Sequence, residues 1–248
     1  MRVLVVGGAG RIGAPLVVAL RARGHDVVSA SRRTGVDAMT GDGLARVMAG
    51  AEVVVDVSRS PSLDDRESLE FFTSVTRNVL AAEASSGVRH HVALSVVGAR
   101  RMAPEFGFMR AKVAQEELVE ASGRPFTIVA ATQFFEFVAS IADASTRAGE
   151  VPLPPLRDQP IAAHDVADAL ASVAEGPAHD GTIELAGPEV HRLPDLVAMA
   201  LRARRDPRRV VVDADAPYFT AHLGVDDLLP VGEPLRGTLR FEEWLARE

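Results

Sequence analysis

The chain contains no cysteine, which removes disulfides, thiolate nucleophiles and cysteine metal sites from consideration. Its 248 residues include one tryptophan, one tyrosine and one lysine, Lys112. No apolar run approaches the roughly 18 residues of a membrane span. The five apolar residues of the opening MRVLVVGG are too few for the core of a signal peptide. A cytoplasmic protein without membrane contact is expected. The net charge of -7 argues against general binding of polyanions, so no nucleic-acid partner is expected. The one basic cluster, Arg202–Arg209 (RARRDPRR), reads as a solvated helix end, where cations are favoured.

What is present is an arginine-rich, moderately apolar chain (47% hydrophobic) with a single exception to its arginine habit. A surface charge can be lysine or arginine at little cost. A compact ammonium whose pKa shifts on burial cannot be replaced by a planar, permanently charged guanidinium. Lys112 is therefore a candidate functional residue.

Short apolar runs alternate with helical patterns from the start, which predicts a doubly wound, parallel α/β sheet. Strands are expected at Val3–Val6, Asp26–Ala30, Val36–Thr40, Val53–Val57, His91–Val97 and Phe126–Ala130. Helices are expected at Arg11–Arg23, Gly43–Ala49, Ser68–Ser86 and Met109–Ser122. Pro15 falls in the first turns of its helix, where a missing N–H is tolerated. After about residue 150 the texture changes. Val151–Pro160 carries four prolines and reads as a loop. A helix near His164–Glu175, a strand Thr182–Ala186, a helix from Pro194 and another near Leu239–Arg247 follow. The expectation is one Rossmann-like domain over 1–248. Its cofactor-binding core is 1–150, and 151–248 completes the core and caps the substrate.

Gly7-Gly-Ala-Gly10-Arg-Ile-Gly13 lies between the first strand and the first helix. In that context Gly7 permits a tight turn, Gly10 lets a pyrophosphate approach the backbone, and Gly13 lets helix and strand pack closely. The helix N-terminus offers free N–H groups and partial positive charge to phosphate. Gly7, Gly10, Arg11, Ile12 and Gly13 are therefore candidate dinucleotide contacts, with Ser58 after the Val53–Val57 strand. An acidic residue ending the second strand would favour NAD. This chain has Ser31-Arg32-Arg33 there. Two guanidiniums suit a 2′-phosphate, so NADP(H) is expected over NAD(H). No metal site is expected.

The strand ending in Ser95 is followed thirteen residues later by Phe108-Met-Arg-Ala-Lys112. With the glycine loop, the TIVAATQFFEF stretch (Thr127–Phe137) and the QPIAAHDVADAL stretch (Gln159–Leu170), this resembles the atypical or extended short-chain dehydrogenase/reductase (SDR) family, in its NmrA-like branch. The similarity spans essentially the whole chain. It implies a serine at a strand end that orients a substrate oxygen, and a Tyr-x-x-x-Lys pair on the next helix. Residues four apart share a helix face. The lysine would hold ribose hydroxyls and lower the tyrosine pKa; the tyrosine would pass a proton as hydride arrives. Here Phe108 occupies the tyrosine position, and phenylalanine is neither acid nor base. Ser95 and Lys112 remain. Tyr218, Glu136 and His164 are the candidate replacements for the missing proton donor.

Three functions follow from these residues. One is an NADPH-dependent reductase of a small carbonyl, enone or quinone. Another is a non-redox isomerase, cyclase or dehydratase holding NADP structurally. The third is an NmrA-like dinucleotide sensor. Substrate contacts are expected from Gln133–Ile141, Val151–Gln159 and Pro217–Leu229, past the carboxyl ends of strands. Phe134, Phe135, Phe137 and Phe219 point to an apolar or aromatic small molecule. The oligomeric state is left open.

Overall fold

A computed structural model describes residues 1–247. Strands β1 (Arg2–Val6), β2 (Asp26–Ala30), β3 (Val53–Asp56), β4 (His90–Val96) and β5 (Phe126–Ala131) form the first part of a parallel sheet. Helices α1 (Gly13–Ala22), α2 (Leu44–Met48), α3 (Asp65–Glu83), α4 (Ala99–Met102) and α5 (Gly107–Glu120) connect them. Beyond lie α6 (Val138–Ser145), β6 (Glu150–Leu153), β7 (Arg157–Asp158), α7 (Ala163–Glu175), β8 (Gly181–Ala186), β9 (His191–Arg192), α8 (Leu193–Ala203), β10 (Arg209–Val212), β11 (Leu235–Arg236) and α9 (Phe241–Leu245). The central sheet has seven strands in the order β11-β8-β5-β4-β3-β1-β2, all parallel. This is a Rossmann-type doubly wound fold.

The valine-rich strands are buried on both faces, as a parallel sheet requires. Val3, Val5, Val53 and Val55 pack on α1 and α7, with Leu16, Leu20, Val166 and Leu170. Their neighbours Leu4, Val6 and Val54 face the other way, onto Leu44, Met48, Val75 and Val79 of α2 and α3. Helix α3 begins a turn earlier than its apolar periodicity predicts. Asp64 caps it, its carboxylate accepting from the Arg66 and Glu67 amides at 3.0 Å each.

The strand expected at Val36–Thr40 does not form. Asp37 and Asp42 make an isolated bridge within a turn whose Gly35, Gly41 and Gly43 all have positive φ. The five residues between β2 and Val36, Ser31–Gly35, are too few for a parallel crossover. The segment is instead held against α3, where Asn78 Nδ2 donates to the Ala38 and Met39 carbonyls at 3.0 and 2.8 Å. The proline-rich stretch expected as a loop is partly extended: β6 pairs with β10 and β7 with β9. Pro152 is tolerated because each of these sheets has only two strands, so both are edges.

The second part of the chain divides its work. β8 and β11 extend the central sheet and α7 covers one face of it. α6, α8, β6, α9 and the 216–228 segment enclose a separate apolar cluster containing Phe135, Leu153, Leu196, Phe241 and Trp244. That cluster continues onto Met102, Phe106 and Met109, which brings it to the carboxyl edge of the sheet. No helix among the described residues is long and apolar enough to cross a membrane.

Candidate active site

β1 lies between β3 and β2, so the strand order reverses beside it, and two adjoining cavities open at that point. One, of about 400 Å³, runs from the glycine loop past the ends of β4 and β5 to Tyr218 and Phe219. The other, of about 470 Å³, lies over β2 and is bounded by Ser31, Arg32, Asp37, Met39 and Phe71. They share Gly7, Ser31, Ser58 and Arg59.

The glycine loop has no room for side chains. A Cβ on Gly13 would sit 2.2 Å from the Gly7 carbonyl oxygen, and one on Gly7 (φ +80°) would sit 2.9 Å from that of Val57. The Gly10 amide donates to Gly7 O at 2.9 Å and Ala14 N donates to Gly10 O at 2.9 Å. The Arg11 and Ile12 amides have no partner among the described residues. Both residues line the 400 Å³ cavity. Free amides at a helix start beside a glycine cradle fit a pyrophosphate. Arg32 lines the β2 cavity, whereas Arg33 lines neither.

At the end of β4, Ser95 is buried and still lines the cavity. Its hydroxyl donates to Glu116 Oε1 of α5. Burial raises the Glu116 carboxyl above its ordinary range, against the opposing pull of Ser95, Arg100 and Lys112. Lys112 is 4% exposed, and its ammonium reaches the cavity wall. It donates to Leu94 O at 2.7 Å and to Gln115 Oε1, and lies 4.5 Å from the centre of the Phe72 ring. Burial pulls its pKa from 10.5 to about 8, with Asp56 and Glu116 working the other way.

A chain of contacts missed by sequence reasoning begins here. Gln115 Nε2 donates to Asp56 Oδ2 at 3.1 Å, and Asp56 Oδ1 accepts from the Ser58 amide at 2.8 Å. Lys112 is thus tied through two side chains to the loop after β3, which borders both cavities. An aspartate ending the otherwise apolar run VVVD was the available signal.

Phe108 is on the cavity wall, edge-on to Phe72 with ring centres 5.6 Å apart. Phe106 and Phe219 stack at 5.4 Å, and Phe134 and Phe137 complete an aromatic end. Phe72, Phe106 and Met109 were not anticipated there. Phe135, expected at the substrate, is instead core, packed on Phe241 and Trp244. No residue of Val151–Gln159 lines the cavity.

Of the three candidate proton donors, one is in place. Tyr218 lines the aromatic end and its hydroxyl donates to Gln133 Oε1 at 3.0 Å. Burial and the nearby Asp158 carboxyl push the phenol well above its ordinary pKa, which makes it a poor acid. The other two expectations are corrected by the fold. His164 projects outward, its side chain 76% exposed, and pairs with Asp168 at 3.2 Å one turn along α7. Glu136 turns toward the start of α7, where its carboxylate accepts from the Ala163 amide at 3.2 and 3.3 Å. Neither borders the cavity.

Comparisons with known proteins agree with this architecture. A family described as NAD(P)H-binding matches residues 7–177, more than half of the chain. A (4-alkanoyl-5-oxo-2,5-dihydrofuran-3-yl)methyl phosphate reductase of Streptomyces griseus is 28% identical over 240 residues, 90% of this chain and 78% of the relative. An SDR-superfamily protein of Agrobacterium tumefaciens, solved with bound NAD, superposes with a TM-score of 0.72 at 18% identity, covering 100% of this chain and 95% of its own. The UDP-glucose 4-epimerase of Thermus thermophilus, in complex with NAD, gives 0.69 at 19% identity over 100% and 93%. The glycine cradle, the strand order and the family match agree: the chain belongs to the NAD(P)H-binding family.

Proposed function

We propose that this protein is an NADPH-dependent reductase of a small apolar substrate whose carbon–carbon double bond is activated by conjugation, such as an enone or an unsaturated lactone. The observation that carries this reading is Phe108 on the wall of a cavity that Ser95 and Lys112 also line. A ketone needs a proton at its oxygen as hydride arrives. A conjugated alkene accepts hydride at carbon and spreads the resulting charge onto its carbonyl, so protonation can come later and from a different direction. The Streptomyces relative lends support, since the compound in its name is an acyl-bearing unsaturated lactone. The aromatic end of the cavity suits such a ring.

The nicotinamide cofactor, when bound, supplies the hydride. The residues toward it have separable tasks. Gly7, Gly10 and the Arg11 and Ile12 amides would cradle the pyrophosphate. Ser31, Ser58 and Arg32 would hold the adenosine half, with Arg32 on the 2′-phosphate. Lys112 would hold the nicotinamide ribose through an ammonium that stays largely charged at neutral pH, given its pKa of about 8. Ser95 would face the substrate oxygen side of the same cavity.

The test is oxidation of NADPH, followed by absorbance, with enones, unsaturated lactones, quinones and saturated ketones as acceptors. Conjugated acceptors are expected to react and saturated ketones to fail. Phe108→Tyr is expected to bring in ketone reduction. Tight NADPH binding with no acceptor reduced would replace this reading with the non-redox or sensing one. For the cofactor preference, Arg32→Ala is expected to raise the NADPH Kd by about 10–100-fold, the loss of a charge-assisted phosphate contact. NADH binding should stay unchanged, and Arg33→Ala should change neither. Equal losses for both nucleotides would refute the NADP preference.

A further inference from the structure

Ser95 and Glu116 sit 21 residues apart in the chain and meet at the floor of the cavity. Ser95 borders the cavity; Glu116 lies behind it, 7% exposed. The second carboxylate oxygen of Glu116 faces Arg100 Nε at 3.4 Å, and the Arg100 side chain is half in solvent. Surface, carboxyl, hydroxyl and cavity are therefore linked in series by two contacts.

A serine hydroxyl has one proton to give. While Glu116 is ionised, that proton is held by the carboxylate and Ser95 presents only lone pairs to the cavity. When Glu116 is protonated it donates to Ser95 Oγ, and the serine proton is released toward the cavity. The pair thus has two arrangements that differ in whether the cavity contains an acid. No tyrosine competes for this role at position 108.

We propose that Ser95 and Glu116 form the proton-delivery line that stands in for the missing tyrosine, with Ser95 giving its proton to the substrate and Glu116 replacing it. The inference rests on the reductase reading above. Hydride adds to the carbon β to the carbonyl, and the alkene π pair shifts to make an enolate. The enolate takes the Ser95 proton at its α-carbon, forming the second C–H bond. Ser95 Oγ recovers a proton from the Glu116 carboxylic acid, and the carboxylate is reprotonated from water past Arg100. One reduced nicotinamide and one solvent proton are consumed for each alkene saturated.

The groups facing Glu116 are Ser95 from β4, Arg100 from α4, and Lys112 and Glu120 from its own helix. Burial is the largest influence on its carboxyl and Glu120 acts in the same direction, so the acid form persists above the ordinary carboxylate range. Turnover should fall as pH rises through that raised value.

The experiment compares wild type, Glu116→Gln, Ser95→Ala and Ser95→Thr as NADPH-loaded proteins, using the best acceptor from the assay above. Glutamine keeps a hydrogen bond to Ser95 but has no transferable proton. Glu116→Gln is expected to lower kcat about 100-fold, the size of a lost general acid, and to abolish the high-pH fall. KM and the NADPH Kd should stay within about twofold. Ser95→Ala should match it, and Ser95→Thr should restore most of the rate. A Glu116→Gln protein with wild-type kcat and pH profile overturns the relay and leaves the reductase reading standing. A wild type that binds NADPH yet reduces no acceptor overturns both. Should Glu116→Gln fail to fold, the serine pair decides: a Ser95→Ala enzyme as fast as wild type overturns the relay.

Discussion

The two ends of the main cavity are built on opposite plans. At the cofactor end the backbone is the functional surface. Glycines leave no space for side chains, and amides and a few tethered polar groups face the opening. Its glycines, its free amides and the polar Ser31, Ser58 and Arg59 come from the turns that follow β1, β2 and β3, within the first 60 residues. The aromatic end is the reverse. Side chains do everything, and they come from α3, α5, the end of β5 and the 216–228 segment. One end is constrained by covalent geometry and the other by packing. The first should therefore fail abruptly on mutation and the second gradually.

The sharpest break is expected from Gly13→Ala. Its methyl carbon would overlap the Gly7 carbonyl at 2.2 Å, and backbone cannot move aside as a flexible side chain does. Overpacking of this kind costs about 1–3 kcal/mol. Fluorescence titration should show NADPH affinity reduced about 100-fold or more, since α1 must shift off its cradle. A variant that binds NADPH normally would remove the contrast between the ends. Phe219→Ala should act more mildly and elsewhere. Loss of its stack on Phe106 should raise the acceptor KM about tenfold, as for a lost apolar pocket contact, with the NADPH Kd unchanged. A parallel loss of NADPH binding would mean that the ends are coupled.

The smallest effect on either constant is expected at Asp158. Its carboxyl is fully buried near Tyr218, and burial raises its pKa from 3.8 to about 7 against a weaker opposing pull from the Gln159 backbone. The folded state then holds one more proton than the unfolded state between those values. Its contribution to stability is fully present below pH 3.8 and is lost as pH rises through 7. Asp158→Asn should leave catalysis within about twofold and raise Tm at pH 8 by several degrees. The gain should shrink toward pH 4. A Tm difference that is independent of pH would contradict the buried-acid account.

The legibility of the chain follows the same division. Gly7, Gly10 and Gly13 could be placed from sequence because a βα turn around a phosphate imposes a local geometry. Ser95, Phe108 and Lys112 could be placed through the family resemblance, whose motif follows a strand end and one helix face. The aromatic end could not. Phe72 shares its helical periodicity with Val79, which is core; only tertiary packing decides which of them meets a cavity. Phe134, Phe135 and Phe137 are near neighbours in sequence, yet Phe135 turns into the core while the other two border the cavity. Glu136 is suggested by its place just after a strand and His164 by its place at a helix start. A helix start also needs its amides satisfied, and Glu136 answers that need. Val36–Thr40 had a strand-like composition, but the link before it was too short to reach a sheet position.

Burial of Lys112 has a further consequence for the chemistry of the whole surface. With its one lysine enclosed, the described exterior has no lysine amine to offer an amine-directed reagent. Inside, an amine with a pKa of about 8 has an appreciable unprotonated fraction at neutral pH. A small aldehyde or activated ester able to enter the cavity would meet a single reactive nitrogen there. Covalent labelling at that nitrogen would report cavity occupancy with no surface lysine competing for the reagent.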